Sequence, residues 1–442
     1  MFRTTRRGFL AGGSASVVAM VGTGLHFWPL GLEGVETNEE VLITVFLRGG
    51  CDALNLVLPV AGADRGYYEA ARSYLQIAAS GPGGALPLDG LLGLHPAAGD
   101  IHDLFQDGKL AIVPAAGMHE DTRSHFDAQA YMELGTPGTA SSTTGWLTRH
   151  LQTATNLPDE IMMPVLAMGS IQPASLRGNW DAIAMRSASS FNLNTGPWRW
   201  RDAQRHALRQ LYSDGSTWLH KAGVQALNAV DILEASNPGT YQPSNGAVYP
   251  SGSFGDQLKV IAQLIKLPLG LRVAAIDLGG WDTHRSQGAA TGTFANLVED
   301  LGQGLAALYI DLDGSGDEDY AQRLTMVVMS EFGRRFRENA DRGTDHGHGG
   351  VVFVLGGKVN GGVYGDWPGL RDDQLYDGAD LAVTTDYRRV LSEILIRRMG
   401  NPHLGIIFPG YTDYAPLGVV QGTDLPPIYT SVHRVHLPLV VR

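Results

Sequence analysis

Runs of consecutive apolar residues recur along the chain and give the first indication of its fold. Runs that do not alternate with polar residues are typical of strands covered on both faces, as in parallel sheets. Stretches with apolar residues at helical spacing lie between them. The pattern predicts an α/β fold with parallel strands at residues 41–47, 110–116, 164–168, 271–277, 326–329 and 351–355. Helices are expected at residues 101–105, 127–134, 204–211, 216–233, 254–267, 294–310 and 381–399.

Composition divides the chain into three parts. Residues 1–30 contain Arg6 and Arg7 before an apolar stretch rich in Gly and Ala, which is typical of a twin-arginine export signal. Residues 40–415 hold most of the predicted elements, with the region 136–255 expected to form insertions or a cap. Residues 416–442 are predicted to be a linker and a tail ending in a short apolar strand. We therefore expect a periplasmic, cell-surface or secreted protein, which an uncleaved signal would attach to the membrane.

Acids and histidines cluster where the predicted strands end. Open α/β sheets bind ligands at the carboxyl edge, so these side chains are expected to meet there. Carboxylate oxygens and imidazole nitrogens are common ligands of divalent ions such as Zn²⁺, Mg²⁺, Mn²⁺ or Ca²⁺. The sequence thus predicts a site for one or two such ions. The candidate ligands are Asp52, Asp282, His284, Glu331, Asp345, His346 and His348. As an alternative role, Asp52 could cap the segment that follows it.

Two histidines of this set are separated by a single glycine. Gly347 leaves the backbone between His346 and His348 free to turn, so we expect the two side chains to diverge. The spacing of His346 to the apolar run at 351–355 makes it the expected metal ligand. His348 is then expected to lie outside the coordination sphere or to face a substrate.

Ser124 stands at the start of the helix that follows the strand predicted at 110–116. Helix N-termini attract anions, so Ser124 could be a nucleophile that faces a phosphate or sulfate group. Equally, Ser124 could be a simple N-cap. Arg123 and Arg334 are the candidates for stabilising the equatorial oxygens of the transferring group.

Overall composition excludes several classes of protein. The chain has 442 residues, of which 44% are hydrophobic and 18% charged, so it can bury a large core. Its net charge of −12, with no basic run beyond the N-terminus, argues against nucleic acid as a partner. The lone Cys51 excludes an intramolecular disulfide and is expected to pack in the core. No protein partner is indicated, and the expected partner is a small-molecule or polymeric ester.

Short motifs also give the chain a resemblance to a known family. They are GGCD at 49–52, RSHFDAQ at 123–129, GGWDTH at 279–284, SEFGR at 330–334, DHGHGG at 345–350 and TTDYR at 384–388. Over roughly residues 40–415 the sequence resembles the DUF1501 family of exported proteins, which is grouped with the alkaline phosphatase and sulfatase superfamily. The resemblance implies a doubly wound, mostly parallel sheet with helices on both faces and metal at its carboxyl edge. It implies metal-binding roles for Asp52, Asp282, His284, Glu331 and His346 or His348, and a nucleophilic role for Ser124.

The chain departs from the superfamily at Phe332, which follows Glu331 where the superfamily has an imidazole. A phenylalanine cannot ligate a metal, although Asp345 or a second histidine of the 345–350 run could supply the missing ligand. Two functions are therefore considered. The first is an exported metal-dependent hydrolase of phosphate or sulfate esters. The second is a degenerate, non-catalytic member of the same fold that acts as an extracytoplasmic binding or surface protein.

Overall fold

The computed structural model describes residues 38–157, 161–192 and 198–430. The export signal predicted at residues 1–30 and the tail strand predicted at 435–441 lie outside these residues. No helix in the described part of the chain is long and apolar enough to cross a membrane.

Strands and helices are interspersed along the described chain. The strands are β1 (Val41–Arg48), β2 (Val57–Pro59), β3 (Leu86–Pro87), β4 (Leu92–Leu94), β5 (Leu110–Gly117), β6 (Val165–Met168), β7 (Ala182–Met185), β8 (Val273–Gly279), β9 (Leu324–Ser330), β10 (Gly350–Gly356), β11 (Gly362–Val363) and β12 (Thr385–Asp386). The α-helices are α1 (Ala53–Leu56), α2 (Gly62–Ala71), α3 (Gly99–Gln106), α4 (His125–Leu134), α5 (Trp146–Thr153), α6 (Arg201–Ser213), α7 (Trp218–Ala235), α8 (Ser253–Lys266), α9 (Thr293–Leu312), α10 (Tyr387–Arg397) and α11 (Leu404–Ile407).

One large sheet dominates the described part of the chain. Its strand order is β11-β5-β10-β9-β1-β8-β6-β7, and β12 also pairs with β5. All pairs from β9 through β1, β8 and β6 to β7 are parallel. The prediction of an α/β fold with a mostly parallel sheet is therefore confirmed. A small separate sheet pairs β2, β4 and β3 in antiparallel fashion.

The direction of β10 differs from the prediction. The run at 351–355 was expected to be parallel to its neighbours, but β10 is antiparallel to both β9 and β5. An apolar run that is covered on both faces has the same composition in either direction, so its pattern does not define its polarity. As a consequence, the segment between β9 and β10 starts and ends at the same edge of the sheet.

The region 136–255 also requires a correction. The strand predicted at 164–168 is confirmed as β6, and residues 182–185 form β7, so both belong to the main sheet and not to a cap or an insertion. The helices α6 and α7 lie close to the helical stretches predicted at 204–211 and 216–233. The region 136–255 thus contributes the last two strands at one end of the sheet and then continues as helices.

Hydrophobic cores lie on both faces of the sheet, because successive side chains of a strand point to opposite sides. Ile43 and Val45 of β1 pack in one core with residues of α8 and α9. Leu42 and Phe46 pack in the other core with residues of α4, α5 and α10. Cys51 is buried in the first core, as predicted.

The second core contains a histidine that should make stability depend on pH. His150 is fully buried, its Nδ1 accepts a hydrogen bond from Asn401, and no described group bonds its Nε2. Burial lowers the pKa of His150 from 6.5 to about 4. Because the pKa of His150 is lower in the folded than in the unfolded protein, the stability that neutral His150 contributes is fully present above the unfolded-state pKa. This contribution is lost as the pH falls towards the folded-state pKa.

We therefore expect the free energy of unfolding to fall by roughly 2 kcal/mol between about pH 7 and about pH 5 because of His150. Urea titrations of the wild type and of His150→Gln across this range measure the difference. The variant should lose less stability than the wild type over the same interval. Parallel curves for the two proteins would show that His150 does not titrate as described.

Candidate metal centre

The polar residues that follow the strands are collected at the carboxyl edge of the sheet. The parallel strands β1, β8 and β9 all end there, and β10 starts there because it runs the other way. The loop after β8 and the segment from 331 to 349 consequently lie side by side. This arrangement is the one that the sequence predicted for most of the candidate ligands.

Two glycines after β1 allow these segments to approach each other. Gly49 has φ +123°, and a Cβ atom at this position would lie 2.5 Å from the backbone nitrogen of Asp282. A Cβ atom on Gly50, with φ +69°, would lie 2.5 Å from the ring of Phe332. Only glycine combines these backbone angles with such close contacts. The double glycine therefore brings the ends of β1, β8 and β9 into contact.

Imidazole nitrogens converge on the carboxylate of Asp282. Its Oδ1 lies 3.0 Å from Nε2 of His284, 3.3 Å from Nε2 of His346 and 3.5 Å from Nε2 of His125. The Nε2 atoms of His284 and His346 are 2.9 Å apart. Within the described residues, His125, Asp282 and His346 form a group whose ligand atoms all lie within 4.8 Å of one another. His284 lies beside this group.

Each of these imidazoles makes a hydrogen bond through its Nδ1 atom, which fixes the orientation of the ring. The acceptors are Oε1 of Glu331 for His125 at 2.8 Å, Oδ1 of Asp345 for His284 at 3.1 Å, and the carbonyl oxygen of Arg123 for His346 at 2.7 Å. Because carbonyls and carboxylates only accept, Nδ1 carries the proton and Nε2 of the neutral ring presents a lone pair. Histidines that bind metals are usually oriented by acceptors in this way.

The converging atoms fit a divalent transition-metal ion. Nε2 of His125 is buried and has no hydrogen-bond partner among the described residues. Lone pairs of several imidazoles that face a carboxylate repel one another, and a proton or a metal ion between them removes this repulsion. Zinc bonds nitrogen at about 2.0 Å with tetrahedral angles, which places two ligand nitrogens about 3.3 Å apart. Imidazole donors suit zinc better than Mg²⁺ or Ca²⁺, which prefer oxygen ligands.

Electrostatics favours the metal-binding forms of Asp282 and His346 and the protonated form of His125. Partial burial raises the pKa of Asp282, but the hydrogen bond and charge of Arg334, with the charges of His284 and His125, bring it down to about 2. Burial lowers the pKa of His346, which favours the neutral ring. The hydrogen bond to Glu331 raises the pKa of His125 more than partial burial lowers it. Metal binding must therefore displace a proton from His125 when that ring is charged.

Two predicted ligands orient histidines instead of joining the group. Oε1 of the buried Glu331 accepts hydrogen bonds from His125, from Gln129 at 2.8 Å and from the backbone of Gly49 at 2.9 Å. Burial raises the pKa of Glu331, but these hydrogen bonds outweigh it and lower the pKa. Asp345 binds His284 in the same manner. Both carboxylates support the centre through an imidazole, which corrects their expected role as direct ligands.

Asp52, which was also predicted as a metal ligand, does not belong to the converging group. Its oxygens accept hydrogen bonds from the guanidinium of Arg72 at 2.6 and 2.9 Å and from Nε2 of Gln287 at 2.6 Å, and the side chain is fully buried. A guanidinium thus provides the positive charge that a metal ion would otherwise provide. The prediction of Asp52 as a metal ligand is corrected accordingly.

The role predicted for Arg334, contact with the substrate, also requires a correction. Arg334 is fully buried, and its guanidinium donates to Asp282 and to the carbonyl oxygens of Gly49, Gly50, Trp281 and Thr344. It braces the loops and is not available to a substrate, which corrects its expected role on equatorial oxygens.

Arg123, the other predicted arginine, is engaged by an acid. Its guanidinium donates to the buried Asp380 at 2.7 Å, and Asp121 and Asp377 lie 3.9 Å away. The carbonyl oxygen of Arg123 accepts the hydrogen bond from Nδ1 of His346. The residue therefore acts on the centre through its backbone.

The remaining predictions concern Ser124 and the two neighbouring histidines. Ser124 is the N-cap of α4, with its hydroxyl accepting from the backbone N–H of Asp127 at 3.4 Å. His346 joins the centre, whereas the ring of His348 stacks on Tyr376 with centroids 4.0 Å apart. The two histidines diverge, as predicted from the glycine between them.

Sequence reasoning missed His125. The neighbouring Ser124 was predicted as a nucleophile because a hydroxyl at a helix start is a familiar nucleophile. In the structure this hydroxyl accepts a hydrogen bond from its own helix as an N-cap. His125 is the first residue of α4 and faces the ends of β8 and β9. It supplies an imidazole where Phe332 supplies none, and the Phe332 ring packs against His125 and His346 with centroids 4.9 and 5.0 Å apart.

Fold and site together define a mixed α/β protein with a candidate metal centre at the carboxyl edge of a mostly parallel sheet. Residues 39–401 match the family described as "Protein of unknown function (DUF1501)", and the chain belongs to that family, as predicted. No curated protein matches the chain. The chain is similar to the lipoteichoic acid synthase LtaP from Listeria monocytogenes, with 9% identity, a TM-score of 0.32, and coverage of 94% of this chain and 84% of that one. A likeness of this size carries no argument about function.

Proposed function

We propose that the protein is an exported, metal-dependent hydrolase of phosphate or sulfate esters on a doubly wound, alkaline phosphatase-like fold. The observation that carries the proposal is the buried, unpartnered Nε2 of His125 among the lone pairs of His284 and His346. His125, Asp282 and His346 supply two imidazoles and one carboxylate, a three-ligand set of the kind that catalytic zinc centres use, and His284 lies beside them. The export part of the proposal is supported by Arg6 and Arg7, and retention inside the cell of a variant with both replaced by lysine would test it.

The centre is open on one side, as catalysis would require. The side chains of Asp282 and His284 are 49% and 38% exposed, so solvent and a small ester can reach the converging atoms. Catalytic centres keep a coordination position free in this way, whereas structural centres are closed. When bound, the ion would supply the positive charge that stabilises the ester oxygens and the leaving group.

Water is the nucleophile that this geometry favours. The Ser124 hydroxyl accepts from the backbone of its own helix, and no described side chain that could act as a general base is hydrogen-bonded to it. His125, Asp282 and His346 would position the ion, while Glu331 and Asp345 hold the imidazoles of His125 and His284 in orientation. The protein residues therefore contribute position and charge rather than a covalent intermediate.

A panel of p-nitrophenyl esters, assayed with purified protein before and after chelation, tests the proposal. We expect metal-dependent release of p-nitrophenol that is lost in His125→Ala. The Ser124→Ala variant should retain activity within a few-fold and lose only about 1 kcal/mol of stability, because Ser124 is an N-cap. Loss of activity in a folded, metal-loaded Ser124→Ala protein would instead identify the serine as the nucleophile.

A second candidate function is a non-catalytic, extracytoplasmic metal-binding protein. It is favoured by the buried guanidinium of Arg334, which donates only to protein groups, and by the pairing of Arg123 with Asp380. Neither of the arginines predicted to contact the substrate is free to do so. A protein that binds one ion tightly but cleaves none of the esters would support this second function over the first.

A further inference from the structure

A cavity of about 400 Å³ lies at the amino edge of the sheet, opposite to the edge that carries the candidate metal centre. Three charged residues that line it stand just before adjacent parallel strands: Glu39 before β1, Arg272 before β8 and Arg323 before β9. We call this space the amino-edge cavity. β8 has seven residues, and at about 3.3 Å per residue it separates the cavity from the metal centre by roughly 20 Å. Cavities of this volume hold small organic molecules.

Arg272 lines the amino-edge cavity with a buried guanidinium that is poorly paired. The residue is 5% exposed, and its Nε is buried without a hydrogen-bond partner. The one hydrogen bond that its guanidinium makes to the described residues runs from Nη1 to the carbonyl oxygen of Leu271, at 3.0 Å. Three other buried arginines, Arg72, Arg149 and Arg334, each donate from all of their guanidinium nitrogens. Arg272 therefore has donors to spare, at the wall of a cavity.

The positive charge of Arg272 is unfavourable for the fold while the cavity holds only water. A guanidinium stays protonated in proteins, so Arg272 cannot avoid the cost of burial by becoming neutral. Burial lowers the pKa of Arg272, and the charges of Glu39 and Glu40 offset only part of this effect. A buried charge is tolerated when a hydrogen-bonded partner of opposite charge joins it. An anion in the cavity would be such a partner.

The other charged groups around the cavity are balanced within the described part of the chain. Three ion pairs account for them: Arg323 with Glu39 at 3.2 Å, Lys266 with Asp311 at 2.6 Å, and Arg398 with Glu40. Arg272 thus leaves one positive charge to be compensated. A ligand with a single negative charge matches this balance.

Apolar side chains form much of the remaining wall. They are Ile161, Ile265, Leu267, Pro268 and Leu271. A ligand with an apolar body would remove these side chains from water, which an inorganic ion does not do. A carboxylate suits the charged end of the ligand, because its two oxygens accept parallel N–H bonds from one guanidinium.

We propose that the amino-edge cavity binds a small organic acid, with the carboxylate on the guanidinium of Arg272 and the apolar body against the aliphatic walls. The cavity is separate from the metal centre, so the inference does not depend on ester hydrolysis. Arg272 destabilises the empty protein, and the bound carboxylate compensates its charge.

Calorimetry with hexanoate tests the proposal. The wild type should bind hexanoate, whereas hexanol, which lacks the charge, and inorganic phosphate, which lacks the apolar body, should each bind at least about 10-fold more weakly. Arg272→Met should weaken hexanoate binding on the order of 10- to 100-fold, because it removes a charge-assisted hydrogen-bond donor. Glu39→Gln should strengthen binding about 2- to 5-fold, since it removes a competing negative charge at an exposed position. Arg371→Met removes an exposed positive charge elsewhere and should bind like the wild type.

Urea unfolding of the same proteins separates a binding role of Arg272 from a structural one. Without hexanoate, Arg272→Met should unfold at the same or a higher urea concentration than the wild type, because the variant removes a buried charge. A lower midpoint for this variant would show that the guanidinium is paired within the protein and would overturn the proposal. Absence of hexanoate binding, tighter binding of phosphate than of hexanoate, or binding that disappears when metal is chelated would overturn it as well.

Discussion

Replacing His346 by alanine is expected to remove the metal ion, whereas replacing His348 is expected to leave it bound. Nε2 of His346 lies within the converging group, while the ring of His348 stacks on Tyr376 outside it. Loss of a residue that only orients a ligand costs about 10- to 100-fold in metal affinity, so loss of the ligand atom itself should cost more than about 100-fold. Metal content after dialysis against a weak chelator measures the effect.

The two variants control for each other, because the histidines are two residues apart on the same segment and both are largely removed from solvent. Thermal unfolding of the chelated proteins shows whether each variant retains its fold. Metal lost from His348→Ala and retained by His346→Ala would reverse the two roles. Metal retained by both would mean that the converging nitrogens do not form the site.

Arg72→Met is expected to lower the free energy of unfolding by about 3–5 kcal/mol, the largest stability effect that we predict. The variant leaves the carboxylate of Asp52 buried, with Gln287 as its remaining side-chain partner. Removing one partner of a buried ion pair is costly because the other charge keeps its desolvation penalty. The midpoint of urea unfolding, measured on chelated protein, gives the change.

Arg371→Met is the matched control for this variant. Arg371 pairs with Asp373, but the two side chains are exposed, so water screens the pair and it contributes little to stability. Combining Arg72→Met with Asp52→Leu should recover much of the lost stability, since no unpaired charge is then left buried. Equal effects of Arg72→Met and Arg371→Met would show that the buried pair does not stabilise the fold as described.

The two eight-residue strands of the main sheet could be predicted well from the sequence. The run at 41–47 became β1, which extends one residue further to Arg48, and the run at 110–116 became β5, which ends at Gly117. Continuous apolar runs give a strong signal because both faces of these strands are covered. The direction of β10 could not be predicted, since polarity is defined by the chain's path and not by composition.

The candidate site was predicted in part. Asp282 and His346 follow from their positions at strand ends, and the structure brings both into the converging group. Asp52 occupies an equivalent position in the sequence, but Arg72, twenty residues later, takes its carboxylate. A partner at that distance depends on how α2 packs, which no local pattern encodes. His125 was missed for a related reason, because the orientation of a side chain at a helix start depends on the approach of the helix to the sheet.

Locating a metal ion by anomalous X-ray diffraction from crystals of zinc-supplemented protein tests the central claim most directly. The account predicts one strong peak at the zinc edge, about 2 Å from Nε2 of His125 and His346 and from Oδ1 of Asp282, with no second peak beside Asp52. Crystals without a peak at that position, or with the peak at Asp52, would contradict it.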